Sequence, residues 1–548
     1  MVRCRLLPLR PLMLTFCAGL LGLLGACTTS SRNLPEARRI SLEDGYRDRH
    51  IGRSPGAEPA LRKTYVILAF SGGGTRAAAL AQGVLRELEA TPARDSPSLN
   101  LLHAVDMISS TSGGSVAAAN FVLRGPEGFG ALHQPHGFLH HDGMADLAGQ
   151  ILNPLNAANF ALSRASRIEA LPEMLRRQVF GDATFRTLRE RAPMRAPLLL
   201  LNSADMRTGL RFTFTQEQLD RLCLDLREIP LADAVAASAA FPVALTPLPL
   251  PVHSPCRAQT EERRLEPAGI VAGFDRRARL REALAASRQG CDAPPPAERH
   301  VLFGATAHDQ PDLSNALRQW HYLNRDACGR ELPERMRLRF VHLQDGGTAD
   351  NLALGAPLEA ATGGEAGSML GQAIRDGRVR EIIFVGVNAR SQGRGPGRDG
   401  GTPGVPAMLL ASINTPIDSR SGGLAAQLHA LEPVLHRAYD DRPACSPSNR
   451  LACADTSRLP RVRTLRVDFE LIADAECRAA FQDIATSWTL PPHEVVALQE
   501  MASAMLRSNP EYLALTSGPR DPRVGLARAR AACDRMREHS GAPPTFGG

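Results

Sequence analysis

A single lysine, Lys63, stands among the 64 basic residues of this 548-residue chain, and all the others are arginine. The glycine-rich stretches therefore contain no lysine. That removes the P-loop pattern G-x-x-x-x-G-K-[ST] and the nucleotide chemistry it serves. No CxxC pair occurs, so zinc sites and redox centres built on that spacing are not expected, and neither a metal nor a cofactor is called for. No block of five or more like charges is present, and the net charge is only +7. It falls to +4 once Arg3, Arg5 and Arg10 leave with the segment described next. So small a surplus gives no reason to expect nucleic acid as a partner. There is no internal repeat of fixed period. No apolar run reaches the roughly 20 residues a membrane-spanning helix needs.

What remains is ordinary globular composition, 43% hydrophobic and 22% charged. The start is not ordinary. "MVRCRLLPLR" is basic, "PLMLTFCAGLLGLLGA" is apolar, and small residues follow, as in a secretory signal. "LGAC", ending at Cys27, resembles the lipobox of bacterial lipoproteins. That resemblance implies removal of residues 1–26, a diacylglycerol on Cys27 and, with Thr28 next, sorting to the outer membrane of a Gram-negative cell. Eight cysteines then remain, an even number that suits disulfides in an oxidising compartment. Cys445 and Cys453, which enclose a short Pro/Ser/Asn loop, are the best single pair.

Residues 27–61 are polar and carry Pro and Gly, which suits a tether. "TYVILAF" (64–70) is a continuous β-branched and apolar run, the pattern of a strand buried on both faces of a parallel sheet. "SGGGTR" and a helical stretch, 77–90, follow it. "LLHAVDMIS" (101–109) predicts the next strand and "SVAAANFVL" the next helix. Strand, turn and helix twice over is the α/β signature. Further buried strands are predicted at 197–205, 337–344, 381–388 and 464–472, and helices at 230–241 and 491–506. The expected body spans 62–510, with an insertion at about 253–335, a mobile loop at about 389–406, and a C-terminal tail or helix over 511–548.

Three loops carry candidate chemistry. In "ISSTSGGS" (108–115) a strand runs into a tight turn and then a helix, the geometry of a nucleophile elbow. Only Ser112 has small residues two before and two after it: Ser110, Thr111, Gly113 and Gly114. Ser110 stands where the elbow pattern has glycine, a residue that reaches left-handed backbone angles cheaply. In "SGGGTR", Gly72, Gly73 and Gly74 can converge their N–H groups on one point. Three readings fit: a dinucleotide fingerprint, an oxyanion hole, or a turn for close packing. The dinucleotide reading wants an acid at the end of the second strand, where "STSGGS" stands instead. Arg76 would brace that loop or add positive potential. In "LQDGGTADNL" a strand ends in Asp345, Gly346 and Gly347. Asp345 suits a general base if it reaches the Ser112 hydroxyl. "D-G" is also a common turn dipeptide.

Gly-Gly-Gly-x-Arg, Ser-Gly-Gly at an elbow and Asp-Gly-Gly, in that order, resemble the patatin-like phospholipase family. The resemblance covers about 64–390, and more weakly 464–506. It implies a three-layer α/β fold with a mostly parallel central sheet flanked by helices. It also implies a Ser–Asp dyad that works without His: Ser112 as nucleophile, Asp345 as base, and Gly72, Gly73 and Gly74 with Arg76 as the oxyanion loop. "DMRTG" (205–209) and "AASAAFP" (236–242) resemble structural segments of that family. The implied activity is hydrolysis of fatty-acyl esters of membrane lipids. An acyltransferase with the same acyl-enzyme, or a non-catalytic lipid-binding lipoprotein, is the alternative. A Ser-His-Asp triad wants HGG and a histidine on a turn after the acid. HGG is absent, and His429, His436 and His493 lie in helix-like stretches.

Overall fold

The computed structural model describes residues 34–48 in part, 64–133, 137–145 in part, 166–191, 196–254, 259–260, 319–324, 331–361, 369–391, parts of 417–435, 459–517 and 521–539, apart from isolated positions. The signal segment, Cys27, the Cys445–Cys453 pair, the centre of the 253–335 insertion and most of the 389–406 loop lie outside the described residues.

The runs rich in Val, Ile and Leu become the strands of one eight-stranded sheet. They are β1 (Thr64–Phe70), β2 (Val105–Thr111), β3 (Leu198–Asp205), β4 (Arg211–Thr213), β5 (Leu248–Pro251), β6 (Phe340–Asp345), β7 (Glu381–Asn388) and β8 (Arg461–Asp468). The order is β8-β7-β1-β2-β3-β6-β5, with β4 paired to β3. The first five are mutually parallel. β6 is antiparallel to both β3 and β5. Every residue of β3 is buried, as is most of β1, because helices cover both faces. This is the mostly parallel sheet, flanked by helices, that the sequence implied.

Boundaries shifted for local reasons. Residues Leu101–Ala104 form a 3-10 turn rather than strand, capped by the Asn100 side chain, which accepts from His103 N–H. The expected strand 464–472 begins at Arg461 and ends at Asp468, whose carboxylate caps the next turn by accepting from Glu470 N–H.

The helices used below are α1 (Gly74–Glu89), α2 (Gly113–Arg124), α3 (Leu231–Ser238), α4 (Ala475–Asp483), α5 (Pro492–Ser508) and α6 (Pro522–His539). Glu87 near the end of α1 is 3% exposed. It accepts from Ser503 of α5 at 2.6 Å and pairs with Arg528 of α6 at 3.1 Å, so one buried carboxylate ties three helices. A Cys477–Cys533 disulfide joins α4 to α6 across 56 residues. Closing a loop of that length restricts the unfolded chain by about 4 kcal/mol. Replacing both cysteines by Ala is expected to lower the thermal midpoint by several degrees. Calorimetry without reductant checks this; an unchanged midpoint would mean that α6 holds without the link.

The segment expected as a tether is docked over its described part. Tyr46 is 2% exposed, packs edge-on to Phe185 and accepts from Leu199 N–H at 3.0 Å. Arg47 is buried and pairs with Asp220 at 2.6 Å and Glu217 at 3.1 Å. Asp48 accepts from Met369 N–H at 2.7 Å. The ends of the insertion also join the core. Tyr322 is fully buried and donates to Asp205 at 3.0 Å, and Asn324 donates to Ser254 O at 2.8 Å. Among the described residues no helix is long and apolar enough to cross a membrane.

Candidate active site

Register brings two distant residues together. Thr111, the last residue of β2, lies opposite Asn202 of β3, and Asp345, the last of β6, lies opposite Ser203. Ser112 and Asp345 therefore flank β3 at one level. The Ser112 hydroxyl donates to Asp345 Oδ2 at 2.9 Å. Asp345 was expected at the carboxyl end of a strand, and it is. Its strand, however, runs against its neighbour, entering from beyond the end of β3 and stopping level with the end of β2.

Ser112 sits at φ 51° and ψ −126°, a left-handed conformation costly for a side chain. It is the N-cap of α2, so the strain turns its Oγ out at the junction of strand and helix. Ser110 does not share that strain. It lies within β2, fully buried in extended backbone, so no glycine is required there. The helix-start glycines allow close approach instead: a Cβ on Gly113 would stand 1.9 Å from Gly74 O, and one on Gly114 2.6 Å from Ser71 O.

Asp345 is 6% exposed. Burial pushes its carboxyl up to about 6, against the lowering effect of the Gly347 N–H and the Ser112 hydroxyl. Gly347 N–H donates to Oδ1 at 2.7 Å, leaving Oδ2 to the serine. The two carboxylate oxygens thus have separate partners, and Oδ2 faces the serine hydroxyl.

The segment 236–242, taken from the sequence as merely structural, clamps both halves of the pair. Ser238 Oγ accepts from Ser112 N–H at 2.9 Å and donates to Asn202 O at 2.6 Å. Ser115, 3.0 Å away, must then be the donor to it. Ser238 O accepts from Gly346 N–H, and Ala240 O accepts from Asp345 N–H. Asn202 holds the end of β2 through Ser109 Oγ and Ser110 O. Neither Ser238 nor Asn202 was visible as a site residue, because each acts on segments far away in the chain.

Only part of the glycine loop offers open amides. Gly72 N–H is taken by Asn351 O at 3.1 Å. Gly73 and Gly74 sit at φ 140° and 60°, and among the described residues no acceptor meets the N–H of either. They open α1, whose dipole adds positive potential there. Arg76 proves to be a brace rather than a donor to the site. Its buried guanidinium donates to Ala389 O at 2.7 Å, to Thr486 Oγ1 at 2.9 Å and to Ile484 O. Burial lowers its pKa to about 10, and Glu494 acts against that fall. Asn351, also missed in the sequence, borders both loops: its Oδ1 lies 2.5 Å from where a Cβ on Gly72 would stand and 3.0 Å from one on Gly347. The spacing "DGGTADN" was its only signal.

Residues 68–260 match the family model for patatin-like phospholipase. Over those residues the chain is similar to that family. The matched stretch includes the glycine loop, the elbow and Ser238, while Asp345 lies beyond it. No curated protein matches the sequence. Among solved structures, human GIVD cytosolic phospholipase A2 is similar over 92% of this chain and 66% of its own, at 12% identity and TM-score 0.36. The same protein in complex with methyl gamma-linolenyl fluorophosphonate is similar over 87% of this chain and 60% of its own, at 12% identity and TM-score 0.34. The chain thus spans less than two thirds of the length of those structures. Around Ser112 and Asp345, as elsewhere among the described residues, no group of His, Cys, Asp and Glu is arranged to hold a metal ion.

Proposed function

We propose that this chain is a lipid-anchored serine acyl hydrolase acting on fatty-acyl esters, with Ser112 and Asp345 as its dyad. The observation that carries the reading is the 2.9 Å contact from Ser112 Oγ to Asp345 Oδ2 beside two unengaged glycine amides. In the first step Ser112 Oγ attacks the acyl carbonyl carbon as its proton passes to Asp345 Oδ2. The N–H groups of Gly73 and Gly74 receive the negative charge that develops on the carbonyl oxygen. The tetrahedral species collapses, the Asp345 proton leaves with the alcohol, and an acyl-Ser112 ester remains. Water then attacks the acyl carbonyl, losing a proton to Asp345; the second tetrahedral species collapses as that proton passes to Ser112 Oγ, which frees the fatty acid and restores the serine.

The family name of the matched domain supports a phospholipid as the ester. The "LGAC" sequence supports a diacylglycerol anchor on Cys27 and a place in the outer membrane, beside such lipids. The test is a panel of phospholipids and lysophospholipids with Ser112→Ala as control, together with labelling by a fluorophosphonate. Release of free fatty acid with label on Ser112 supports hydrolysis. Label without release, restored by an added alcohol acceptor, would replace hydrolysis with acyl transfer.

The pH dependence follows from Asp345. The base works only when ionised, and its pKa lies near 6. The ratio kcat/KM is expected to be flat above about pH 7 and to fall tenfold per unit well below 6. A profile that falls only below pH 4.5 would mean an ordinary solvated carboxylate in that place.

A further inference from the structure

We propose that the lip formed by Met206, Met336 and the outer half of β6 is the surface by which this chain lies on a bilayer with anionic headgroups, and that the docked N-terminal strap aims it there. The inference rests on the reading of the dyad and of Cys27 given above.

Leu248 of β5 and Asp205 at the end of β3 both lie opposite Leu343. Beyond that level β5 and β6 continue as a pair, through Pro251 opposite Phe340 and Val252 N–H to Arg339 O. They form a wall that rises past the sheet on the side where Ser112 and Asp345 lie. His342, three residues before Asp345, is roughly 10 Å along the strand from the dyad. Of the most exposed large apolar side chains, one belongs to a residue bonded to this wall and one to the turn Glu334–Met336 that leads into β6. Met206 is 58% exposed, and its N–H donates to His342 O at 2.8 Å. Met336 is 61% exposed and lies four residues before Phe340.

Charge agrees. Glu334 lies 3.8 Å from Arg339 and Glu331 is paired with Arg337, while the exposed side chains of Arg207 and Arg335 form no ion pair among the described residues. Apolar tips set among arginines suit the boundary between headgroups and acyl chains.

The strap supplies direction. It is pinned deep by Tyr46 at Leu199, near the start of β3, and runs outward to Leu34, whose carbonyl meets His253 Nε2 at 2.9 Å. His253 follows the outer end of β5. The first docked residue therefore emerges on the wall itself. Cys27 is seven residues upstream, a reach of about 24 Å when fully extended. A lipid on Cys27 holds the bilayer within that distance of the wall and not against the far side.

The experiment uses the lipidated chain reconstituted in vesicles. Three forms are compared with the parent: Met206→Asp with Met336→Asp, Val524→Asp with Leu526→Asp on α6, and a 30-residue Gly/Ser spacer inserted after Ser31. The readouts are hydrolysis of vesicle phospholipid, hydrolysis of a monomeric short-chain ester, and peroxide oxidation of Met206 and Met336 by mass spectrometry. The methionine pair is expected to lose at least fivefold on vesicle phospholipid and to stay within twofold on the monomeric ester. The spacer form is expected to lose in the same selective way, and the α6 pair to match the parent. In the parent, both methionines should oxidise at least threefold more slowly on anionic than on neutral vesicles. Equal oxidation on both, or equal losses from the two apolar pairs, overturns the docking surface. A parent that hydrolyses neither ester but shows the protection overturns the dyad's reading and leaves the surface standing.

Discussion

Ser112→Ala is expected to lower kcat/KM by at least about 10⁴-fold, and Asp345→Asn by a comparable factor. The two changes remove parts of one device, since the hydroxyl is reactive only while its proton has somewhere to go. The double variant is therefore expected to be no worse than Ser112→Ala alone. Initial rates on a monomeric ester, with active sites titrated by a fluorophosphonate, check both claims. Asp345→Asn retaining a tenth of the parent's activity would end the assignment of the base. The same substitution carries an opposite signature in stability. Burial raises the Asp345 pKa to about 6. An acid whose folded pKa is raised costs the folded state free energy once it must ionise, so the cost is absent below pH 4 and complete above about pH 6. A carboxyl raised from 3.8 to about 6 corresponds to about 2–3 kcal/mol. Asparagine can still accept from Gly347 N–H without the charge. Asp345→Asn is thus expected to melt at a higher temperature than the parent at pH 8 and at the same temperature at pH 4. Loss of activity with gain of stability separates a functional carboxylate from a structural one.

The sites were legible in the sequence to the extent that they were local. The runs 64–70 and 381–388 became strands at those same residues, because a strand buried on both faces admits no polar interruption. Ser112 was distinguishable among four nearby serines because small neighbours are a local requirement of the turn. Local reasoning also erred where geometry alone decides. Ser110 was taken for a position wanting glycine, yet the left-handed angle falls on Ser112 itself and Ser110 stays in the strand. Gly72 was counted as a donor, yet Asn351, far along the chain, claims its amide. β4 and β5 escaped notice because each is short, and β5 reads "LPLP", with proline a poor sign of strand. Ser238 and Asn202 gave no signal, since a hydrogen bond across more than thirty residues leaves no spacing to read.

Gly113→Ala is the sharper test of the site's architecture, because it adds one methyl group and touches no reacting atom. That methyl would stand 1.9 Å from Gly74 O and 2.5 Å from its carbonyl carbon, a distance at which backbone must move. α2 begins at Gly113 and is held by Ser112, while Gly74 opens α1 and is braced from outside by the Ser487 carbonyl, which accepts from Thr75 N–H at 2.8 Å. Neither helix can yield freely, so the displacement falls on the peptides between them, which carry the two open amides. Losing the aim of one such donor costs about 10²–10³-fold, and losing both would cost more. Overpacking of this kind destabilises by about 1–3 kcal/mol. Gly130→Ala supplies the comparison: it lies in the helix Glu127–His133, and nothing stands within 4 Å of its added methyl. In a helix that change is worth up to about 1 kcal/mol of stability. The expected pattern is a folded Gly113→Ala protein with at least a thousandfold lower kcat/KM and a lower melting point, beside a Gly130→Ala protein with parental activity and an equal or higher one. Parental turnover in Gly113→Ala would mean that the Gly74 peptide does not face the nucleophile during catalysis, and the oxyanion would then need another home.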